Sequence, residues 1–124
     1  SNPVTVILID KKEVSKNYIE KLKSLGKHIR IVALLDCKNN DLNYPYMLLW
    51  RVVNNIDAKR DLSVYEDMLL IDATAKSELE GHPREWPKDV LCTKSVLDKL
   101  KSLSVIELSE EELRQFGLVE FEGC

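Results

Sequence analysis

Three short apolar runs in this chain each end in an aspartate, and that repeated punctuation constrains the fold more than any other feature. Val4-Thr5-Val6-Ile7-Leu8-Ile9 closes on Asp10, His28-Ile29-Arg30-Ile31-Val32-Ala33-Leu34-Leu35 on Asp36, and Met68-Leu69-Leu70-Ile71 on Asp72. The runs are continuous rather than alternating, the pattern of strands covered on both faces, as in a parallel sheet. Between the first two, Val14, Tyr18, Ile19, Leu22 and Leu25 recur at helical spacing, with Ser15, Lys16, Lys21 and Lys23 outside and Gly26 as a stop. Strand, helix and strand within about 35 residues make a βαβ unit, whose strands are parallel. The 124 residues suffice for one domain with its own core and not for two. The expected fold is a single α/β domain over residues 3–124: a small, mainly parallel sheet with flanking helices, Rossmann-like, in two or three layers. Ser1-Asn2 reads as the remnant of a removed tag.

The remaining segments fit around that sheet. Tyr44 to Asn54 is expected to be a helix with Pro45 in its first turn and Leu48, Leu49, Val52 and Val53 on its buried face. A strand is the alternative there, because Trp50, Val52 and Val53 favour one and periodicity alone does not decide. Residues 77–88 contain Gly81, Pro83 and Pro87 and have no period, so they form a loop carrying His82 and Trp86. Thr93 caps a helix from Lys94 to Leu103 with Val96, Leu97 and Leu100 inward. Ser109-Glu110-Glu111-Glu112 has the form of a capping box opening a short helix that ends at Gly117, and Leu118 to Phe121 suits an edge segment.

Composition removes several classes of function. The 18 basic and 21 acidic residues are mixed along the chain and give a net charge of −3, so there is no basic field for nucleic acid. No apolar run approaches the roughly 20 residues of a transmembrane helix, and a cytoplasmic location is expected. Cys37, Cys92 and Cys124 form no CxxC pair and are expected to be reduced thiols. His28 and His82 lie in unrelated segments without the partners of a zinc site or a Ser-His-Asp triad. With four glycines in all, the chain has no phosphate-cradling loop.

Two polar stretches remain. Asp10, Asp36 and Asp72 fall where α/β sheets place their ligands, yet each is equally suited to cap the turn that follows it. In Asn54-Asn55-Ile56-Asp57-Ala58-Lys59-Arg60-Asp61, Lys59 and Arg60 offer a grip for an anion, oriented by Asp57 and Asp61. The alternatives are a fixed salt-bridge network and a solvated helix end.

Trp50-Arg51-Val52-Val53-Asn54-Asn55-Ile56-Asp57-Ala58-Lys59-Arg60-Asp61, then Ile71-Asp72-Ala73-Thr74-Ala75-Lys76, then Arg84-Glu85-Trp86-Pro87, resemble in order the C-terminal domain of UbiD-type decarboxylases. The resemblance implies part of a non-oxidative aromatic-acid decarboxylase of ubiquinone or menaquinone biosynthesis. It implies prenylated FMN with manganese and potassium in the full-length enzyme, and no tight cofactor on this domain alone. The family's acid–base and metal-binding residues belong to a preceding central domain, so no catalytic or metal-ligating residue is expected here. The role implied for this domain is to close over the cofactor cleft and build a subunit interface. Its partners are then the catalytic domain of the same chain and further copies, with peripheral membrane association open for the whole enzyme.

The resemblance singles out Arg30 as a cofactor contact near the phosphate; a structural ion pair is the other reading. It also implies that Asp57, Arg60 and Asp61 bond to one another and to backbone. Two departures point to a divergent branch such as the menaquinone one: Leu62 to Asp67 is too short for the family's usual insertion, and Leu70 stands where glycine is common. The rival readings are a free-standing nucleotide- or phosphate-binding domain using the aspartate edge, and a pure interaction module.

Overall fold

The computed structural model describes residues 4–24 and 28–117. The three aspartate-terminated runs form β1 (Val4–Ile9), β2 (Ile31–Asp36) and, at the third, a strand numbered β4 (Met68–Asp72) because another, β3 (Leu62–Tyr65), precedes it. The sheet order is β1-β2-β4-β3, parallel except for β3, which runs antiparallel to β4 at the edge. The mainly parallel α/β fold expected from the sequence is present.

Each face of the sheet has its own core, which is why the strand sequences are apolar throughout. Val32 and Leu34 of β2 join Leu70 under Ile19 and Leu22 of α1 (Ile19–Lys23). Ala33 and Leu35 point the opposite way, to Leu48 and Ala73, with Val52 of α2 (Pro45–Asn54) beside them. The architecture is therefore three-layered. Fully burying each such aliphatic side chain stabilises by roughly 1.5–3 kcal/mol, so β2, with four core residues, is the centre of the domain.

Several expectations change. The first helix starts as a 3-10 turn (Ser15–Tyr18) before α1, and Ser15 is buried rather than outside because its hydroxyl is drawn to Asp72. Leu25, Gly26 and the segment Leu118 to Phe121 lie outside the described residues. The helix reading of α2 is correct, but only Leu48 and Val52 of its expected face turn inward, together with Arg51, while Leu49 and Val53 are exposed. β3 went unrecognised: Leu62-Ser63-Val64-Tyr65 is short, adjoins a charged loop, and pairs through a tight turn at Glu66-Asp67, with Glu66 at φ 52°. Cys37, expected as a reduced thiol, is disulfide-bonded, whereas Cys92 is free and exposed. In α4 (Lys94–Ser102) Val96 is exposed and Leu97 is the buried residue. The capping box at Ser109 and Glu112 opens α5 (Glu110–Gln115) as expected.

Candidate functional site

The strand register brings the distinctive polar residues together. β3 is antiparallel and starts opposite the end of β4, Leu62 facing Ile71, so the chain leaving α2 must return to the carboxyl edge of the sheet. It does so through α3 (Ala58–Asp61), which puts Asp61 beside Asp72. Two carboxylates this close repel unless a cation lies between them. Lys76 supplies it: its ammonium is 3.1 Å from Asp72 Oδ1 and 3.8 Å from Asp61 Oδ1, and donates to the carbonyls of Asp72 (2.8 Å) and Thr74 (2.6 Å). Asp72 also accepts from the hydroxyls of Ser15 and Thr74, from the Thr74 N–H (3.0 Å) and from Lys11 (3.3 Å). Lys11 in turn pairs with Glu80 and donates to Thr74 Oγ1 at 2.8 Å.

The other motifs complete this assembly. Asp57 caps α3 by accepting from the N–H groups of Lys59 (2.9 Å) and Arg60 (3.2 Å), and its own N–H donates to Asp61 at 2.8 Å. Arg60 grips Asp61 through Nε (2.6 Å) and Nη2 (2.7 Å). The Trp86 ring lies 5.8 Å from the Arg60 guanidinium and 5.7 Å from the Lys76 ammonium, within cation–π range of both. His82 meets Trp86 edge-on at 5.3 Å and donates from Nδ1 to the Arg84 carbonyl at 2.6 Å. All three sequence motifs thus meet at one place.

Burial opposes ionisation of Asp72, but hydrogen bonds from Ser15 and Thr74 and the charges of Lys76 and Lys11 outweigh it and hold the carboxyl at about 2. Burial also draws Lys76 below its ordinary value, against the pull of Asp72 and Asp61. The two directions bear on one contact, and the carboxylate's decides its charge state: with so many donors converging on Asp72, the ion pair is the form present at neutral pH. Burial raises Asp36, only partly countered by the Ala75 N–H, which donates to it at 2.7 Å.

Lys11, Arg60 and Lys76 pair with Asp61, Asp72 and Glu80, so each of these charges finds an opposite one within the assembly. Of the readings open for Asp57 to Asp61, this is the fixed salt-bridge network. Lys59 stays exposed at the surface and joins no anion grip. The aspartate edge divides likewise: Asp72 is consumed in the network, Asp36 tethers the Ala75 backbone, and Asp10 is exposed beside Lys12. Among the described residues, no three metal-ligating side chains gather.

A cleft of about 960 Å³ lies over the carboxyl edge, lined by Asp36, Asn40, Arg51 and Trp86 to Asp89 among others. Its lining holds a pair not anticipated from the sequence: Arg51 binds Asp89 bidentately at 2.7 and 2.6 Å. The available signal was one arginine in an otherwise apolar helix. Arg30 lies at the opposite, amino end of β2, where it pairs with Asp67 in the β3–β4 turn at 3.0 Å.

No known protein-family model matches the chain. Uncharacterized proteins from two strains of Helicobacter pylori, J99 and 26695, are 43% and 42% identical over 120 residues, covering 94% of this chain and 19% of each of theirs. The chain thus spans about a fifth of the length of the curated relatives it matches. Among solved structures, it is similar to an evolved dimeric form of the UbiD-class enzyme HmfF from Pelotomaculum thermopropionicum, in complex with prFMN. The TM-score is 0.59 at 22% identity, over 83% of this chain and 22% of that one. At that identity the likeness is one of fold.

Proposed function

We propose that this chain is the C-terminal domain of a UbiD-like non-oxidative aromatic-acid decarboxylase in ubiquinone or menaquinone biosynthesis, a cytoplasmic enzyme. Its role is architectural: it closes the cleft over a catalytic domain supplied by the rest of the longer protein, and it takes part in oligomerisation. The observation that carries this reading is the fold similarity to one part of a UbiD-class enzyme, covering 83% of this chain but only 22% of the neighbour. The self-neutralised network supports it, because a site whose cations and carboxylates satisfy one another offers no free group for proton transfer.

When bound in the full-length enzyme together with manganese and potassium, prenylated FMN would supply the chemistry of decarboxylation. The described residues do not fit the metals, since no three metal-ligating side chains gather among them. Arg30 is the residue proposed to reach the cofactor phosphate. Its pairing with Asp67 is exposed, so the guanidinium is free to exchange partners.

The test is a deletion. A full-length relative carrying prenylated FMN is expected to decarboxylate an aromatic acid such as a polyprenyl-4-hydroxybenzoate, to lose this turnover when the domain is removed, and to regain none from the isolated 124-residue chain. Turnover by the isolated chain, or unchanged turnover without the domain, overturns the proposal.

A further inference from the structure

The chain leaves β1 and β2 toward opposite faces of the sheet. After β1 it enters α1, whose Ile19 and Leu22 pack with Val32, Leu34 and Leu70; after β2 it enters α2, whose Leu48 packs with Ala33, Leu35 and Ala73. The two strands nonetheless end side by side, Ile9 opposite Asp36, with the Cys37 N–H donating to the Ile9 carbonyl at 2.9 Å. Loops that part from adjacent strand ends leave a crevice between them, and open α/β sheets bind their ligands in such a crevice. The cleft of about 960 Å³ is that crevice: residues 9–11 line it from one loop and residues 36–40 from the other. Its volume suits a small molecule, whose usual sites span roughly 300–1,000 Å³.

Three groups in its lining are short of partners among the described residues. Asn40 is 5% exposed; its Nδ2 donates to the carbonyls of Asp36 (2.9 Å) and Lys38 (3.2 Å), which fixes the amide's orientation and leaves Oδ1 buried without a donor. Arg51 is 7% exposed; its two Nη atoms hold Asp89, and its Nε is buried without an acceptor. Asp36 accepts the Ala75 N–H on Oδ2, yet burial outweighs that bond and the charges of Lys11 and Lys76 and draws its carboxyl above the ordinary value. Buried polar atoms are ordinarily paired, so an acceptor, a donor and a poorly solvated carboxylate in one cleft point to a ligand. A hydroxyl answers all three, since it donates to Asn40 and Asp36 and accepts from Arg51. A phosphate does not fit: the lining carries as many carboxylates as cations, and Lys11, Arg51 and Lys88 are each paired with one, Glu80, Asp89 and Glu85. Among the described residues no glycine lines the cleft to bring backbone N–H groups close to an anion.

We propose that this cleft binds an uncharged ligand bearing a vicinal diol, the ribose of a nucleoside or a free sugar, with the hydroxyls shared among Asp36, Asn40 and Arg51. The site is separate from the Asp61–Lys76–Asp72 network and from Arg30, and it gives the domain a ligand of its own beyond the architectural role proposed above. Titration calorimetry of the chain with adenosine is expected to show binding, with 2′-deoxyadenosine, which lacks one hydroxyl of the diol, held about tenfold or more weakly. Inorganic phosphate is expected not to compete. Binding of D-ribose as tight as that of adenosine, or tighter, assigns the free sugar; weaker binding of D-ribose assigns the nucleoside. Asp36→Asn keeps an acceptor for the Ala75 N–H, so its thermal midpoint is expected to be maintained while affinity falls about tenfold or more. Arg51→Lys keeps a cation for Asp89 but loses the Nε donor, and is expected to weaken binding as well. Failure of both adenosine and D-ribose to bind, equal affinity for the deoxy analogue, competition by phosphate, or unchanged affinity in either variant overturns the proposal. None of these readouts involves decarboxylation, so their failure is distinct from failure of the deletion test.

Discussion

At the carboxyl end of the sheet Lys76 meets Asp72 at 3.1 Å with the two side chains 0% and 8% exposed; at the amino end Arg30 meets Asp67 at 3.0 Å with 53% and 86% exposed. The separations are nearly equal, so distance does not distinguish the two pairs. Water does. The buried pair interacts through a medium of low effective dielectric and cannot be broken without stranding a charge, whereas the exposed one is screened and replaceable by solvent. One end of the sheet is locked and the other is available, and the lock is made of the residues that are most distinctive in the sequence.

The largest expected effect breaks the locked end. Asp72→Asn leaves Lys76 and Lys11 without their shared carboxylate and is expected to cost about 3–5 kcal/mol, the range for removing one partner of a buried pair. Lys76→Met should cost a similar amount, and the double variant less than the two added, because the two buried charges then leave together while Lys11 keeps Glu80 and Asp61 keeps Arg60. Urea-unfolding midpoints measure all three. A loss below about 1 kcal/mol for Asp72→Asn would put this pair in the same class as Arg30–Asp67 and dissolve the contrast.

The contrast also explains what was legible in the sequence. The parallel strands were readable because each is covered on both faces and so is apolar without alternation; β2 sends Val32 and Leu34 one way and Ala33 and Leu35 the other. That Asp57, Arg60 and Asp61 bond to one another was implied by the family resemblance, while the residues alone left an anion grip and a solvated helix end equally open. The participation of Lys11, Ser15 and Glu80 was not implied, because Lys11 and Ser15 reach Asp72 from 61 and 57 residues away, Glu80 joins only through Lys11, and nothing local to Ser15 distinguishes it from an exposed helix serine. β3 was hidden for a similar reason: four residues have too little periodicity to declare a strand, and it exists because β4 offers it a partner. Arg51 and Asp89 are 38 residues apart, so only the fold pairs them.

A smaller effect comes from pH. Asp72 is held at about 2, below its ordinary 3.8. Its stabilisation is therefore fully present above about pH 4 and is lost as pH falls through 2, amounting to about 2 kcal/mol. Asp61, lowered chiefly by Arg60 and the Asp57 N–H once the opposing effect of burial is overcome, shifts stability in the same direction. Asp36 works the other way, since burial raises it and protonation relieves a cost. Unfolding free energy is thus expected to fall between pH 4 and pH 2, and Asp72→Asn should flatten the fall. An equally steep decline in Asp72→Asn would assign the acid sensitivity to other carboxylates.

The smallest effect on stability, and the sharpest probe of the available end, is Arg30→Ala. An exposed ion pair contributes about 0–1 kcal/mol, so unfolding of the variant is expected to match the parent to within about 0.5 kcal/mol. If the guanidinium trades Asp67 for a phosphate of the cofactor proposed above, the same substitution removes a charge-assisted hydrogen bond. That loss, about 1.5 kcal/mol or more, weakens cofactor binding by the full-length enzyme about tenfold. Asp67→Asn serves as the opposing control: it frees Arg30 without removing it, and should leave cofactor affinity unchanged or slightly stronger. Unaltered affinity in Arg30→Ala would make Arg30–Asp67 a surface pair and nothing more, with the amino end of the sheet then having no assigned ligand. A stability loss of several kcal/mol would instead show that exposure had misjudged the pair, and that both ends of the sheet are locked.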